Sequence, residues 1–204
     1  MSRAEWWALS YTGRALYPGE PSVDALCIED VAHALALTCR FGGHSPELYS
    51  VAQHSVLVSR AIEADGGSVQ EQRYGLFHDA PEYVLGDVIW PLKQLPFMIA
   101  YKALERRWMQ AIVERWKLPS SEPACVRHFD LRLLTTEKRD VMKLPTERAV
   151  HLTGKPWHSD GFDPLEEVIV PSDARRAEME FLERYEELEE RFQRGLTPHL
   201  RKVP

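Results

Sequence analysis

The sequence predicts an all-α protein. Apolar residues recur at helical spacing through most of the chain, alternating strand patterns are scarce outside Glu167 to Val170, and 44% hydrophobic residues in a 204-residue chain suffice for one packed core. The segment up to Pro21 is the exception. It mixes Trp6, Trp7 and Tyr11 with Thr12, Gly13, Pro18 and Gly19, which reads as turns and short extended pieces that wrap the core. From Ile28 the pattern becomes helical: Ile28, Val31, Ala32, Leu35 and Ala36 share a face, Asp24 or Glu29 supplies acidic character near the start, and the helix is expected to stop near Arg40, before Gly42-Gly43.

A second helix is expected from about Ser50, whose hydroxyl can cap it, with Val51, His54, Ser55 and Val58 along one face. A third follows the Gly66-Gly67 break and runs from Val69 to Tyr83, and a loop from Gly86 to Pro96 comes next. Amphipathic stretches cover Phe97 to Trp116, Glu122 to Met142 and Ser172 to Arg194, and Trp108 and Trp116 fit a core-facing stripe rather than a base-stacking surface. The last stretch is highly charged around a thin seam of Met179, Leu182, Tyr185 and Leu188. That pattern reads as a solvated face laced by i,i+4 pairs, with a coiled-coil or homodimer contact as the alternative.

Composition narrows the function. A net charge of −6 with both signs dispersed lacks the basic stripe of a nucleic-acid binder, so no polymeric nucleic acid is expected as partner. The longest apolar runs, such as Ala32 to Cys39, fall short of a bilayer span, and the first residues lack the basic-then-apolar order of a secretion signal; the expectation is a cytoplasmic protein with no membrane partner. Cys27, Cys39 and Cys125 have no CxxC spacing and read as buried small hydrophobes. With neither internal repeat nor linker, residues 1–204 form one domain, its core at about 28–145 and a C-terminal extension over 146–204.

The chemistry concentrates in Leu76-Phe77-His78-Asp79-Ala80, where an imidazole and a carboxylate follow two large apolar residues. Helix neighbours point about 100° apart, so His78 and Asp79 can both reach an ion lying between helices. His54, on the preceding helix with Val51 and Val58 turning that side inward, can meet His78 across the pair. Asp130, in His128-Phe129-Asp130-Leu131, is the best fourth ligand, since Phe129, Leu133 and Leu134 turn its helix toward the core and a carboxylate there needs a charge partner. Two histidines with two aspartates suit manganese, cobalt, iron, zinc or nickel better than calcium, with magnesium also admitted. His33 is placed on the first helix, and His128, His151, His158 and His199 read as surface or packing residues.

Through Gln53-His54-Ser55, Phe77-His78-Asp79-Ala80 and Asp130, the sequence resembles the HD-domain phosphohydrolases over about Ile28 to Pro145. The resemblance implies an HD-type helical bundle with His54, His78, Asp79 and Asp130 around a divalent metal. The run from His78 through Pro81-Glu82-Tyr83-Val84-Leu85-Gly86-Asp87 to Pro91-Leu92-Lys93 is similar to the bacterial 5′-deoxyribonucleotidase branch, where Glu82 and Asp87 correspond to acidic residues of the catalytic centre and Arg40 to a phosphate-contacting arginine. Cys39-Arg40-Phe41-Gly42-Gly43-His44-Ser45 is also similar to bacterial and phage HD proteins that include a deoxynucleoside triphosphate triphosphohydrolase. Gln53 stands where the monophosphatase branch usually has glutamate, and Phe41 where it often has tryptophan.

The chemistry of the residues agrees with that carry-over. A divalent ion lowers the pKa of bound water and polarises a phosphoryl oxygen. Glu82, three residues after Asp79, shares its face if the helix continues and can orient the water or shuttle its proton. Asp87 can touch a sugar hydroxyl or serve as acid to the leaving group, and Arg40 can pair with phosphate in a forked geometry. Phe41, His44 and Lys93 complete the substrate-binding candidates. Three activities stay open: hydrolysis of a nucleoside 5′-monophosphate, with the small-molecule nucleotide as partner; release of triphosphate from a deoxynucleoside triphosphate; and a non-catalytic nucleotide sensor that keeps a metal to hold its helices.

Overall fold

The computed structural model describes residues 6–147, 149 and 161–196. Near the N-terminus, β1 (Ala8–Leu9) and β2 (Ala15–Leu16) pair antiparallel, Ala8 opposite Leu16. Thr12, between them, donates its N–H and its hydroxyl to the buried Asp30 carboxylate at 2.7 and 2.9 Å. This pairing ties the irregular segment to α1 (Ile28–Leu37), which buries Val31, Ala32, Leu35 and Ala36. Helix α1 ends three residues short of the expected Arg40. Thr38 turns to extended backbone, and the chain is captured by an antiparallel bridge between Cys39 and Ser50, with Arg40 N–H on the Tyr49 carbonyl at 2.8 Å and Val51 N–H on the Thr38 carbonyl at 3.0 Å. Backbone pairing across the loop takes over where helical bonding stops.

Ser50 caps α2 (Val51–Ala64) as expected, its hydroxyl accepting Gln53 N–H. Helix α3 (Val69–Phe77) starts at Ser68 with a capping box closed by Glu71. The expected continuation to Tyr83 does not occur. Proline lacks the N–H and its ring clashes with the carbonyl four residues back, so Pro81 excludes a continuous helix through Phe77; the chain turns through residues 78–81 and restarts as α4 (Glu82–Leu85). The expected loop from Gly86 to Pro96 holds α5 (Trp90–Lys93), and a short 3₁₀ turn at Pro96–Met98 leads into α6 (Ile99–Trp116). Trp108 and Trp116 are buried, and the Trp108 indole N–H reaches the Pro18 carbonyl at 2.9 Å, which fastens the N-terminal wrap to α6.

Helix α7 (Ala124–Asp140) and α8 (Ala174–Leu196) complete the bundle. Glu167 to Val170 does not form the expected strand. Its backbone groups, with those of Leu165, are taken by α7 side chains: Leu165 N–H by Thr136 Oγ1, Ile169 N–H by Asp140, and the Leu165 and Glu167 carbonyls by Arg139. Gln53 uses both ends of its amide on the same strap, donating to the Val170 carbonyl at 2.8 Å and accepting Ser172 N–H at 3.0 Å. A glutamate could not supply the donor.

Helix α2 packs against α1, α3, α7 and α8. Gly75 lets α3 approach it closely, since a Cβ there would meet Ile62 Cδ1 at 2.6 Å. On α8 the buried stripe is Ala177, Phe181, Arg184 and Leu188, whereas Met179 of the expected seam is 49% exposed and Leu182 and Tyr185 are half-buried. The sequence pattern misplaced the seam because Arg184 is buried with its donors satisfied by Ser59 Oγ and carbonyl, Gln72, Glu63 and Glu187. Exposed i,i+4 pairs such as Arg176 with Glu180 line the outer face. Cys27 is buried as expected, but Cys39 and Cys125 are half-buried; all three are free. Among the described residues no helix is long and apolar enough to cross a membrane.

Two outcomes follow from the polar contacts that close the bundle. Arg184→Ala strands Gln72 and Ser59 in the interior and is expected to cost about 3 kcal/mol in urea unfolding. Gln53→Glu sets a carboxylate against the Val170 carbonyl and is expected to cost about 1–3 kcal/mol by the same measurement.

Candidate metal centre

Three helices deliver the ligand candidates. His54 lies in the first turn of α2 and is fully buried; His78 and Asp79 occupy the turn where Pro81 ends α3; Asp130 lies on α7, with Phe129 and Leu133 buried beside it and Leu134 half-buried. Their tips converge. The Nε2 atoms of His54 and His78 are 3.2 Å apart. Asp79 Oδ2 lies 3.3 Å from His78 Nε2 and 3.6 Å from His54 Nε2, and Asp130 Oδ1 lies 3.3 and 4.0 Å from His54 and His78. Ligand atoms at about 2.1 Å from one ion sit roughly 3.0–3.4 Å from each other when they are adjacent, and three of these five separations fall in that range. His54, His78 and Asp79 form a group that could hold a metal, and Asp130 extends it.

The far sides of both rings fix their tautomers. His78 Nδ1 lies 2.7 Å from the Gly75 carbonyl, and His54 Nδ1 lies 2.6 Å from Glu137 Oε1. A carbonyl and a carboxylate only accept, so both Nδ1 atoms carry a proton, and in the neutral rings that a metal ion would bind both Nε2 lone pairs face the same point. Lone pairs and carboxylate oxygens that converge this way need a cation. A proton can serve one such pair; a divalent ion can serve all four groups.

Electrostatics point the same way. Burial disfavours the His78 imidazolium, yet Asp79 and Asp130 outweigh it and raise its pKa to about 9. Burial also pushes Asp79 and Asp130 up, but the two imidazoles, joined at Asp79 by Arg40, hold both below the usual carboxylate range.

Beside the centre, Glu82 is buried, with Oε1 3.3 Å from Lys93 Nζ and Oε2 without a hydrogen-bond partner. Desolvation, reinforced by Asp79 and Asp87, pushes its pKa well up. Asp87 is half-buried, accepts the Phe41 backbone N–H and is likewise raised, mainly by burial. Lys93 also binds Glu105 on α6 at 2.8 Å, so its ammonium is shared between two carboxylates.

Arg40 sits at the other side, donating to Asp79 at 3.3 Å and to Glu137 at 3.1 Å, with Nε buried and unpartnered. Its charged form is strengthened by Glu137 and Asp79 against burial. Phe41 follows in the left-handed region (φ 58°), where a non-glycine residue is strained, and His44 is exposed at the end of that turn. His33 stacks on Tyr11 and approaches Glu178 at 3.0 Å, and His128 packs edge-on to Phe129 and Phe162; neither joins the centre. His151, His158 and His199 lie outside the described residues.

Sequence reasoning missed Glu137, Tyr49 and Glu105. Glu137 is seven residues after Asp130, two turns on along one helix face, and that spacing was the available signal. Tyr49 donates to Glu137 Oε1 at 2.8 Å.

No protein-family profile matches the chain. It is 36% identical over 133 residues to the Escherichia coli protein YfdR, covering 65% of this chain and 70% of that one. It is 35% identical over 164 residues to the Rhodobacter capsulatus protein RCAP_rcc00048, covering 76% and 82%.

The convergence has a direct measurement. Purified protein is expected to take up about one equivalent of cobalt or manganese, read by elemental analysis after gel filtration, whereas His54→Ala and Asp130→Ala should each lose it.

Proposed function

The chain belongs to the family that contains YfdR and RCAP_rcc00048, and we propose that it is a metal-dependent phosphohydrolase that cleaves a deoxynucleoside 5′-monophosphate to nucleoside and phosphate. The observation that carries this reading is the convergence of His54, His78, Asp79 and Asp130 beside a buried Glu82 carboxyl whose Oε2 has no hydrogen-bond partner. A purely structural metal site has no use for the second feature. The resemblance of Phe77-His78-Asp79-Ala80 and its flanks to the HD-domain nucleotidases supports the same chemistry.

The cluster would hold one manganese, cobalt, iron, zinc, nickel or magnesium ion, which supplies Lewis acidity toward a water and a phosphoryl oxygen. The chain's own residues do the rest. Lys93 fixes Glu82 Oε1, leaving Oε2 as the atom that gives or takes a proton during phosphate transfer to water. Burial, with Asp79 and Asp87 nearby, raises Glu82 well above an ordinary glutamate and so favours its protonated form. Arg40 contributes positive charge next to Asp79, and with one N–H of each terminal nitrogen serving Asp79 and Glu137, its remaining N–H groups are the donors for a phosphate oxygen. Asp87, through its tie to Phe41 N–H, holds the turn whose Phe41 and His44 would meet the nucleoside. The reaction is assigned to the cytoplasm, where the free thiols would stay reduced.

A metal-supplemented nucleotide screen with product identification tests the proposal. Wild type is expected to release inorganic phosphate from deoxynucleoside monophosphates, and Glu82→Gln to keep its metal while losing at least about 100-fold in kcat. Release of triphosphate from deoxynucleoside triphosphates would move the substrate within the class, and no turnover of any nucleotide would leave the sensor activity in its place.

A further inference from the structure

Among the described residues, the least exposed carboxyl group belongs to none of the candidate ligands. Glu137 on α7 is completely buried, and each of its oxygens is engaged: Oε1 lies 2.6 Å from His54 Nδ1 and accepts the Tyr49 hydroxyl at 2.8 Å, while Oε2 accepts Arg40 at 3.1 Å. A buried carboxylate with fewer partners would be costly, and an apolar side chain could fill the volume without that cost. Here the three partners come from two separate parts of the fold. His54 is on α2, and Arg40 and Tyr49 are brought side by side by the Cys39–Ser50 bridge. Glu137 shares its helix face with Asp130 two turns earlier, so one rigid element carries a candidate ligand and the support of another.

We infer that Glu137 is the positioning residue of the centre: it holds the proton of His54 on Nδ1, aims the Nε2 lone pair at the cation and orders Arg40 beside the same point. This rests on the metal-centre reading above. The physical ground is that an ionised carboxylate only accepts, so His54 cannot rotate or exchange tautomers without breaking the 2.6 Å contact. Such outer-shell carboxylates raise ligand basicity, and their loss typically weakens metal binding about 10–100-fold. Glu137→Gln preserves volume and an acceptor, but its amide can also present a donor, so His54 loses the constraint and Arg40 keeps only Asp79 of its two carboxylate partners.

The test compares wild type, Glu137→Gln and His54→Ala by cobalt titration, with the cobalt d–d spectrum recorded, and by long-range 1H–15N NMR of histidine-labelled wild-type protein loaded with zinc. Expected are a strongly downfield His54 Nδ1–H resonance in wild type, cobalt affinity weakened about 10–100-fold and an altered d–d spectrum in Glu137→Gln, and no specific binding in His54→Ala. The NMR measurement needs no variant, so it decides even if Glu137→Gln does not fold. Cobalt affinity and spectrum unchanged in a folded Glu137→Gln, or a wild-type His54 without the downfield Nδ1–H resonance, would overturn the inference while leaving the metal centre intact. Wild type that takes up neither cobalt nor zinc would sink the metal-centre reading itself.

Discussion

Two imidazole lone pairs aimed at one point from 3.2 Å apart, with carboxylate oxygens beside them, are tolerable only around positive charge. Much of the fold can be understood as the means of imposing that arrangement. The Gly75 carbonyl and Glu137 stand behind the two rings and remove their freedom to turn away. Gly75 has a second part in it, because its missing side chain brings α3 close enough to α2 for the two histidines to meet. Close-packed interiors transmit such constraints, so a small shift of either helix would be felt as a change in ligand spacing.

The charge distribution around the centre is graded. Near the imidazoles, Asp79 and Glu137 share the Arg40 guanidinium, while Asp130 is met only by the exposed Arg127 at 3.4 Å, so three carboxylates stand against two guanidiniums and the balance favours further positive charge. A few residues away, Glu82 and Asp87 are held toward their protonated forms by burial, in a site where Lys93 is already divided between Glu82 and Glu105. Carboxyl groups close together in one protein thereby differ in proton affinity, and the difference comes from solvent access and neighbours rather than residue type.

The outer layers serve the same end. The N-terminal wrap is pinned by Thr12 to Asp30 and by Pro18 to Trp108, and the strap before α8 is pinned by α7 side chains and by the Gln53 amide. Gln53 precedes a ligand candidate, so the strap and the centre share one turn of α2. Arg184 locks α8 onto α2 and α3 from the opposite side.

By itself the sequence determined what is local and periodic: the all-α class, the Ser50 cap and the buried tryptophans of α6; residue type and a family resemblance picked out His54, His78, Asp79 and Asp130. Helical period, capping chemistry and unusual residue types are written in neighbouring positions, so they can be read without coordinates. The break at Pro81 was legible too, since it follows from one residue's missing N–H, yet periodicity across it concealed the break. Only the tertiary structure decided where polar groups find partners. Arg184 inside the bundle, the 167–170 strap bound to side chains instead of a sheet, and Glu137 behind His54 all depend on groups remote in sequence. A buried charge is stable only when such distant partners meet it, and no local pattern encodes that meeting.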